Sequence, residues 1–200
     1  FYAQFLLDDL NISRQKDSDD NYQDGFFQNK YGYQLGLKGK ISSLKYLFEY
    51  NQVQPYTYGH RTILQNYSHM NQALAHPLGA NFNEFLFFID YKYKNWEIHI
   101  QLMKAKFGDK KKNDSTSFGN NIFMSNSNRP SDNNIIMYQG NLSKLDYKKL
   151  AVSYLINPKT NLKVQSGYVS RILTNDDEES KINFIFFAIK SDLFNRYYDY

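Results

Sequence analysis

The chain has 200 residues, of which 42% are hydrophobic and 18% aromatic, enough apolar material for one folded domain and too much for a disordered chain. It contains no cysteine, which excludes disulfides, thiolate metal ligands and cysteine nucleophiles. Its 24 basic and 20 acidic residues give a formal net charge of +4, a bias too small to predict binding of nucleic acid.

Apolar and polar residues alternate with a period of two along most of the chain, which is typical of strands. In "SLKYLFEYNQV", for example, Leu44, Tyr46, Phe48 and Tyr50 share one face. The predicted strands are long, about ten residues against the five or six of most soluble sheets. The sequence thus predicts an all-β fold of about eight strands, which in chain order are "YAQFLLDD", "YGYQLGLKGK", "SLKYLFEYNQV", "NEFLFFIDYKYK", "WEIHIQLMK", "KLAVSYLI", "LKVQSGYVSRI" and "KINFIFFAIKSDLF".

The connections between these strands alternate between long and short. Long ones cover 9–29, 56–82 and 109–143, whereas the others are short turns at "KGKISS", "YKNW" and "INPKTN" and a medium one at "TNDDEES". In an antiparallel sheet, this alternation puts every long connection at one end. It predicts an antiparallel transmembrane β-barrel of the outer membrane, with long external loops and short periplasmic turns. A soluble β-sandwich with its apolar side in a core is the alternative.

Several segments carry a family resemblance, and "AHPLGANF" is the most specific of them. Together, "NKYGYQLGLK", "YNQVQPYTYGHR", "NYSHMNQALAHPLGANFNE", "YLINPKTNL" and "LFNRYYDY" resemble the C-terminal part of the Wzi-type capsule-assembly barrels and the related gliding-motility surface proteins. One departure is Gln54, where the family pattern has arginine. The chain also ends on Tyr200, and a terminal aromatic residue is typical of the last strand of outer-membrane barrels.

The resemblance implies a non-enzymatic outer-membrane protein that attaches or assembles capsule or exopolysaccharide, or takes part in gliding. Its implied partners are outer-membrane lipid, surface polysaccharide and other envelope proteins, and it implies no cofactor. Barrels of this family have many more strands than eight. We therefore expect residues 1–200 to be one barrel domain from the C-terminal part of a longer chain.

Three of the four histidines crowd into one polar segment around "NYSHMNQALAHPLGANFNE". Their gaps of nine and seven residues lack the short fixed spacing of zinc ligands, so we expect no metal site. Pro77 and Gly79 predict a sharply turned loop with one shape. Such a loop can present stacking faces and directed hydrogen bonds to sugar rings. The predicted glycan-binding residues are Tyr56, Tyr58, His60, Arg61, His69, His76 and Asn81.

No nucleophile elbow, zinc-protease motif or phosphate-binding loop occurs in the sequence, so we expect no enzymatic activity. Two other functions remain open: a diffusion porin with a charged open lumen, and an outer-membrane hydrolase that pairs Ser68 and His69 with an aspartate. The acidic runs "DSDDNYQD" and "NDDEES" lack the calcium-binding spacing of an EF-hand and are interpreted as solvated loop tips.

Overall fold

The computed structural model of the chain describes residues 1–11, 25–112 and 114–191. Over these residues the fold is all-β, and the helical segments are two single 3-10 turns, Ile63–Gln65 and Asn126–Asn128. The acidic run at 17–24 and the terminal Tyr200 lie outside the described residues.

None of the helical segments in the described ranges is long and apolar enough to cross a membrane.

Eight long strands form one antiparallel sheet, and each of them pairs with the next long strand along the chain. This confirms the eight predicted strands and the antiparallel order. Two more strands, β4 (Ser68–His69) and β5 (Gln72–Ala73), form a small separate hairpin that the alternation did not predict. The sheet consists of β1 (Tyr2–Asp9), β2 (Lys30–Ile41), β3 (Leu44–Val53), β6 (Phe82–Tyr93), β7 (Trp96–Asp109), β8 (Asn141–Asn157), β9 (Leu162–Thr174) and β10 (Glu179–Lys190).

The order of the strands fixes where the connections lie. Connections 54–81 and 110–140 leave the same end of the sheet, which we call the loop end, and the tight turns β2–β3, β6–β7 and β8–β9 lie at the opposite turn end. The edges of the sheet are β1 and β10, so over the described residues the sheet is open. Closure into a barrel therefore stays a prediction.

One face of the sheet, the apolar face, presents large hydrophobic side chains to the surroundings. Cross-strand partners such as Phe48 and Phe87 share this face, with ring centroids 4.6 Å apart. On β10 the exposure is extreme, because Phe187 is 83% exposed and Ile189 78% exposed. Exposed apolar patches of this extent are unusual on soluble monomers and mark contact with a membrane or another protein.

Aromatic and charged residues bound this apolar band. Trp96 of β7 and Tyr154 of β8 pack edge to face at the turn end, with ring centroids 4.9 Å apart. Towards the loop end the same face becomes charged, with Lys104 opposite Asp146 in the β7–β8 register. From Trp96 to Leu102 the apolar stretch of β7 is roughly 20 Å long at about 3.3 Å per residue.

The other face, the polar face, carries the cross-strand ion pairs of the described strands. Glu97 lies 2.6 Å from the ammonium groups of both Lys92 and Lys163, and His99 lies 2.7 Å from Asp90. Apolar residues share this face, so it is mixed in character.

The buried apolar clusters lie at the loop end. One contains Phe26, Phe27 and Tyr56, and the other contains Val53, Ala80 and Phe82. The most compact packing of the chain is therefore between the sheet end and the long connections, where the predicted site residues also lie.

Candidate functional site

The two long connections, 54–81 and 110–140, fold onto each other and form what we call the loop cap. Backbone hydrogen bonds join them: Tyr56 N–H donates to the Gly119 carbonyl at 2.9 Å, and Ala80 N–H donates to the Asn120 carbonyl at 3.0 Å. Farther along, Asn126 N–H donates to the His60 carbonyl at 3.2 Å. These contacts between segments distant in sequence give the cap a defined shape.

The "HPLG" turn fits into the cap for a steric reason. Gly79 has a φ of +73°, and a Cβ built on it would lie 2.3 Å from the Asn120 carbonyl oxygen. The Asn120 side chain also donates to the carbonyls of Leu78 and Ala80, at 2.8 and 2.6 Å. Only glycine fits at residue 79 without displacing the other connection.

Asn81 connects the cap to the sheet. Its side chain is fully buried, and its amide nitrogen donates to the carbonyls of Gly108 and Phe118, both at 3.0 Å. Its amide oxygen accepts from Tyr138 N–H at 2.7 Å. Asn81 therefore holds β7 and both parts of the cap together and does not reach the surface.

Tyr56 is likewise part of the cap interior. It is 3% exposed, and its hydroxyl donates to the Ser117 carbonyl at 2.7 Å. Its ring packs edge-on against Phe27, with ring centroids 6.3 Å apart. Burial raises the pKa of the phenol to about 12 from the ordinary value of 10.0. A neutral, hydrogen-bonded tyrosine in this position stabilises the cap.

Lys30 joins β1, β2 and the cap at one buried point. Its side chain is 2% exposed, and its ammonium donates to the Gly59 carbonyl at 2.8 Å and lies 4.0 Å from Asp8. Asp8 accepts from Tyr58 N–H at 3.0 Å and lies 3.8 Å from the ring of His60. Burial raises the pKa of the Tyr58 phenol, and the negative charge of Asp8 adds to this increase.

The ring of His76 is held between the cap and the polar face. Its Nε2 lies 2.9 Å from the buried carboxylate of Glu84, and the ring stacks on Phe82 with centroids 4.4 Å apart. Glu84 also accepts from Asn51 at 3.1 Å. Because these contacts occupy both the face and the edge of the ring, His76 mainly positions the loop.

An open pocket of about 480 Å³ remains on the cap, and we call it the loop pocket. His60 and Arg61 line it together with Lys30 and Arg129. Arg129 lies 3.6 Å above the Phe27 ring and pairs with Asp132 outside the lining, whereas the exposed Arg61 guanidinium has no carboxylate partner among the described residues. One carboxylate, Asp9, also lines the pocket, but the cations and side-chain amides of the lining outnumber it, which suits an acidic, hydroxyl-bearing ligand.

His69 lies away from the loop pocket, on the exposed β4–β5 hairpin. Tyr67, just before this hairpin, stacks on Tyr58 with ring centroids 6.0 Å apart. Successive strand residues point to opposite sides, so Ser68 and His69 do not converge as a nucleophile and its base would. Of the seven predicted residues, the structure places His60 and Arg61 together in the loop pocket.

Over residues 1–11, 25–112 and 114–191, no group of three histidine, aspartate or glutamate side chains is arranged to hold a metal ion. His60, His76 and His99 each lie beside a single carboxylate.

Sequence reasoning missed four residues that shape this site: Asp8, Lys30, Glu84 and Arg129. The alternation of β1, β2 and β6 places the first three residues on the polar face, so the sequence pattern indicates the face on which they lie. The pairing of Lys30 with Gly59 and of Asp8 with Tyr58 depends on contacts 29 and 50 residues apart in the sequence. No local pattern encodes such contacts.

Comparison with known proteins gives no match: no family model, no curated protein and no solved structure is significantly similar to the chain. The resemblance to the capsule-assembly barrels thus rests on the sequence motifs alone.

We expect Asn81→Ala to destabilise the chain by about 2–4 kcal/mol, because it removes several buried hydrogen bonds and leaves their partners unsatisfied. Asn83→Ala, two residues farther along the chain, should change stability by only about 0.5 kcal/mol. Urea unfolding of the purified chain, followed by circular dichroism, measures both. Equal midpoints for the two variants would contradict the role of Asn81 as a clamp.

The raised pKa of Tyr56 predicts that the folded chain loses stability at high pH. The folded state holds the phenolic proton up to about pH 12, whereas the unfolded chain releases it near 10.0. This contribution is complete below about pH 10 and is lost as the pH rises through 12. Tyr56→Phe should therefore show a smaller fall in unfolding midpoint across that window than the parent chain. An unchanged pH dependence in the variant would refute the assignment.

Proposed function

We propose that the chain forms part of the wall of an outer-membrane β-barrel and serves, without enzymatic activity, in the attachment or assembly of surface polysaccharide or in a gliding-related surface function. The observation that carries the membrane part is the exposed apolar face of the eight-stranded sheet. Family resemblance in the motifs supplies the polysaccharide part.

The two faces of the sheet support a membrane location. A strand that spans an outer membrane turns apolar residues to lipid along a band about 25 Å tall, with aromatic residues at its borders. The roughly 20 Å apolar stretch of β7 approaches this height, and Trp96 and Tyr154 lie at its turn-end border. The soluble sandwich would need a second layer over the apolar face, and the described sheet has a single layer.

The loop pocket supports glycan binding. The pocket lies on the side that would face outward if the long connections are external. His60, Arg61 and the amides of Gln65 and Asn126 supply hydrogen-bond donors for sugar hydroxyls and carboxylates. The fixed shape of the cap would reduce the entropy lost on binding.

A diffusion porin is the second candidate, and the ion pairs of the polar face favour it. Lys92, Glu97 and Lys163 form a charged cluster on this face, as expected for a wet lumen. Single-channel conductance in planar bilayers separates the two functions, because a polysaccharide-holding barrel with a folded cap should conduct little.

The membrane proposal predicts a face-dependent effect of a buried charge. Ile100→Glu puts a carboxylate into the centre of the apolar band and should destabilise the barrel by about 1–3 kcal/mol in lipid. Gln101→Glu, the adjacent residue on the polar face, lies opposite Lys149 and should be tolerated. Outer-membrane levels and urea unfolding in lipid vesicles measure the difference. Equal tolerance of both substitutions would sink the membrane location.

The glycan proposal predicts that Arg61→Ala weakens retention of surface polysaccharide by about tenfold, because a charged contact typically contributes about 1.4 kcal/mol or more. Lys111→Ala, an equally exposed cation of the cap outside the loop pocket, serves as the control. Cell-associated polysaccharide is measured in strains carrying each variant at matched protein levels. Wild-type retention with Arg61→Ala would refute this role.

A further inference from the structure

A second cleft, with a volume of about 390 Å³, opens on the polar face near the turn end. We call it the turn-end cleft. It lies over four residues that are neighbours across adjacent strands. Lys92 of β6 pairs with Glu97 of β7, Glu97 pairs with Ser153 of β8, and Ser153 pairs with Gln165 of β9.

The lining of this cleft has an excess of positive charge. Five lysines and two carboxylates line it within the described part of the chain. Glu97 is shared by Lys92 and Lys163, and the other carboxylate, Asp90, lies beside His99. The three remaining lysines have no carboxylate within ion-pair distance among the described residues, and they are Lys45, Lys149 and Lys190.

Two of the lysines that line the cleft lie side by side at its turn end. Lys190 is the direct cross-strand partner of Lys163, so β9 and β10 bring two like charges side by side. Like charges directly opposite each other are destabilising, and the Glu97 carboxylate, 2.6 Å from the Lys163 ammonium, compensates one of the two. Lys149 lies across the cleft on β8, with its ammonium 5.9 Å from the centroid of the Phe186 ring.

A buried acceptor on the cleft floor adds an independent indication. The Gln165 amide nitrogen donates to Ser153 Oγ at 2.9 Å, but its carbonyl oxygen is buried and has no partner among the described residues. An unpaired buried polar atom is costly, and a ligand donor can satisfy it. The lysines attract an anionic ligand group, and the amide oxygen accepts from a hydrogen-bond donor such as a hydroxyl.

We propose that the turn-end cleft binds a hydroxyl-bearing anion, a sugar that carries a carboxylate or a phosphate group. The anionic group lies beside Lys163 and Lys190, and a ligand hydroxyl donates to the oxygen of Gln165, two residues along β9 from Lys163. The site is separate from the loop pocket, at the opposite end of the sheet. The proposal rests on residues of the polar face alone and does not depend on where the sheet is located in the cell.

The test uses the purified full chain in detergent, titrated by isothermal calorimetry with four small molecules. D-glucuronate and glucose 1-phosphate represent the two anionic groups, acetate lacks the hydroxyls, and glucose lacks the charge. We expect saturable binding of at least one hydroxylated anion, weaker binding of acetate and none of glucose. Whichever of D-glucuronate and glucose 1-phosphate binds more tightly identifies the preferred anionic group. If neither of these two compounds binds, the proposal is overturned.

Matched variants locate the binding. Lys190→Gln combined with Lys149→Gln should weaken binding by about tenfold or more, since the first removes a charge-assisted contact and the second removes another uncompensated charge from the lining. Lys144→Gln combined with Lys148→Gln removes two charges from the opposite face and should leave binding unchanged. An equal loss in both double variants would show a general charge effect and refute the site.

A further variant tests the hydroxyl contact without changing the charge. Gln165→Leu should reduce the affinity for the hydroxylated anion to that for acetate and leave the affinity for acetate unchanged. If the hydroxylated anion binds this variant as tightly as the parent chain, the part assigned to Gln165 is overturned. Circular dichroism of each variant confirms that the strands are retained.

Discussion

Alternation of side chains in a sheet one layer thick controls the environment of nearly every strand residue in this chain. Each residue of β1 to β3 and β6 to β10 lies on one of two faces, and over the described residues no second layer of strands covers the apolar face. Large side chains such as Phe187 are therefore exposed in the isolated chain, although burying apolar surface is worth about 25 cal/mol per Å². Contact of this band with lipid or with another protein would bury that surface, and the aromatic border at Trp96 fits the proposed membrane location.

The loop cap obeys a different constraint, namely the cost of burying polar groups. Lys30, Asn81 and Glu84 are each 2% exposed or less, and unpaired groups in such positions would destabilise the fold by several kcal/mol. Each is instead paired with groups outside its own strand or turn: the Gly59 carbonyl, several backbone groups and His76, respectively. Because wrong arrangements would leave these groups unsatisfied, their pairing favours one cap conformation. That conformation in turn shapes the loop pocket.

The strands could be predicted because their information is local, whereas the site could not be predicted residue by residue. A period of two sustained over about ten residues rarely arises outside a strand, so the eight antiparallel strands were confirmed. The β4–β5 hairpin was missed because strands of two residues carry no period. Tyr56 and His60 look alike in a polar, aromatic segment, yet one is 3% exposed and the other lines a pocket. That difference arises from contacts with 110–140, which no spacing within 56–81 reveals.

The two ends of the polar face differ in how their charges are compensated. At the loop end, Lys30 has the Gly59 carbonyl and Asp8, and Glu84 has His76, so these charges are used within the fold. At the turn end, Glu97 serves two lysines at once, and the cross-strand neighbours Lys163 and Lys190 repel each other. Charges that are paired inside the chain stabilise its structure but attract external ions only weakly. An uncompensated excess in a cleft attracts counter-ions, and the lower dielectric of the sheet surface strengthens that attraction. The polar face thus has one end whose charges are compensated within the chain and one end with an excess of positive charge, where we propose that an anion binds.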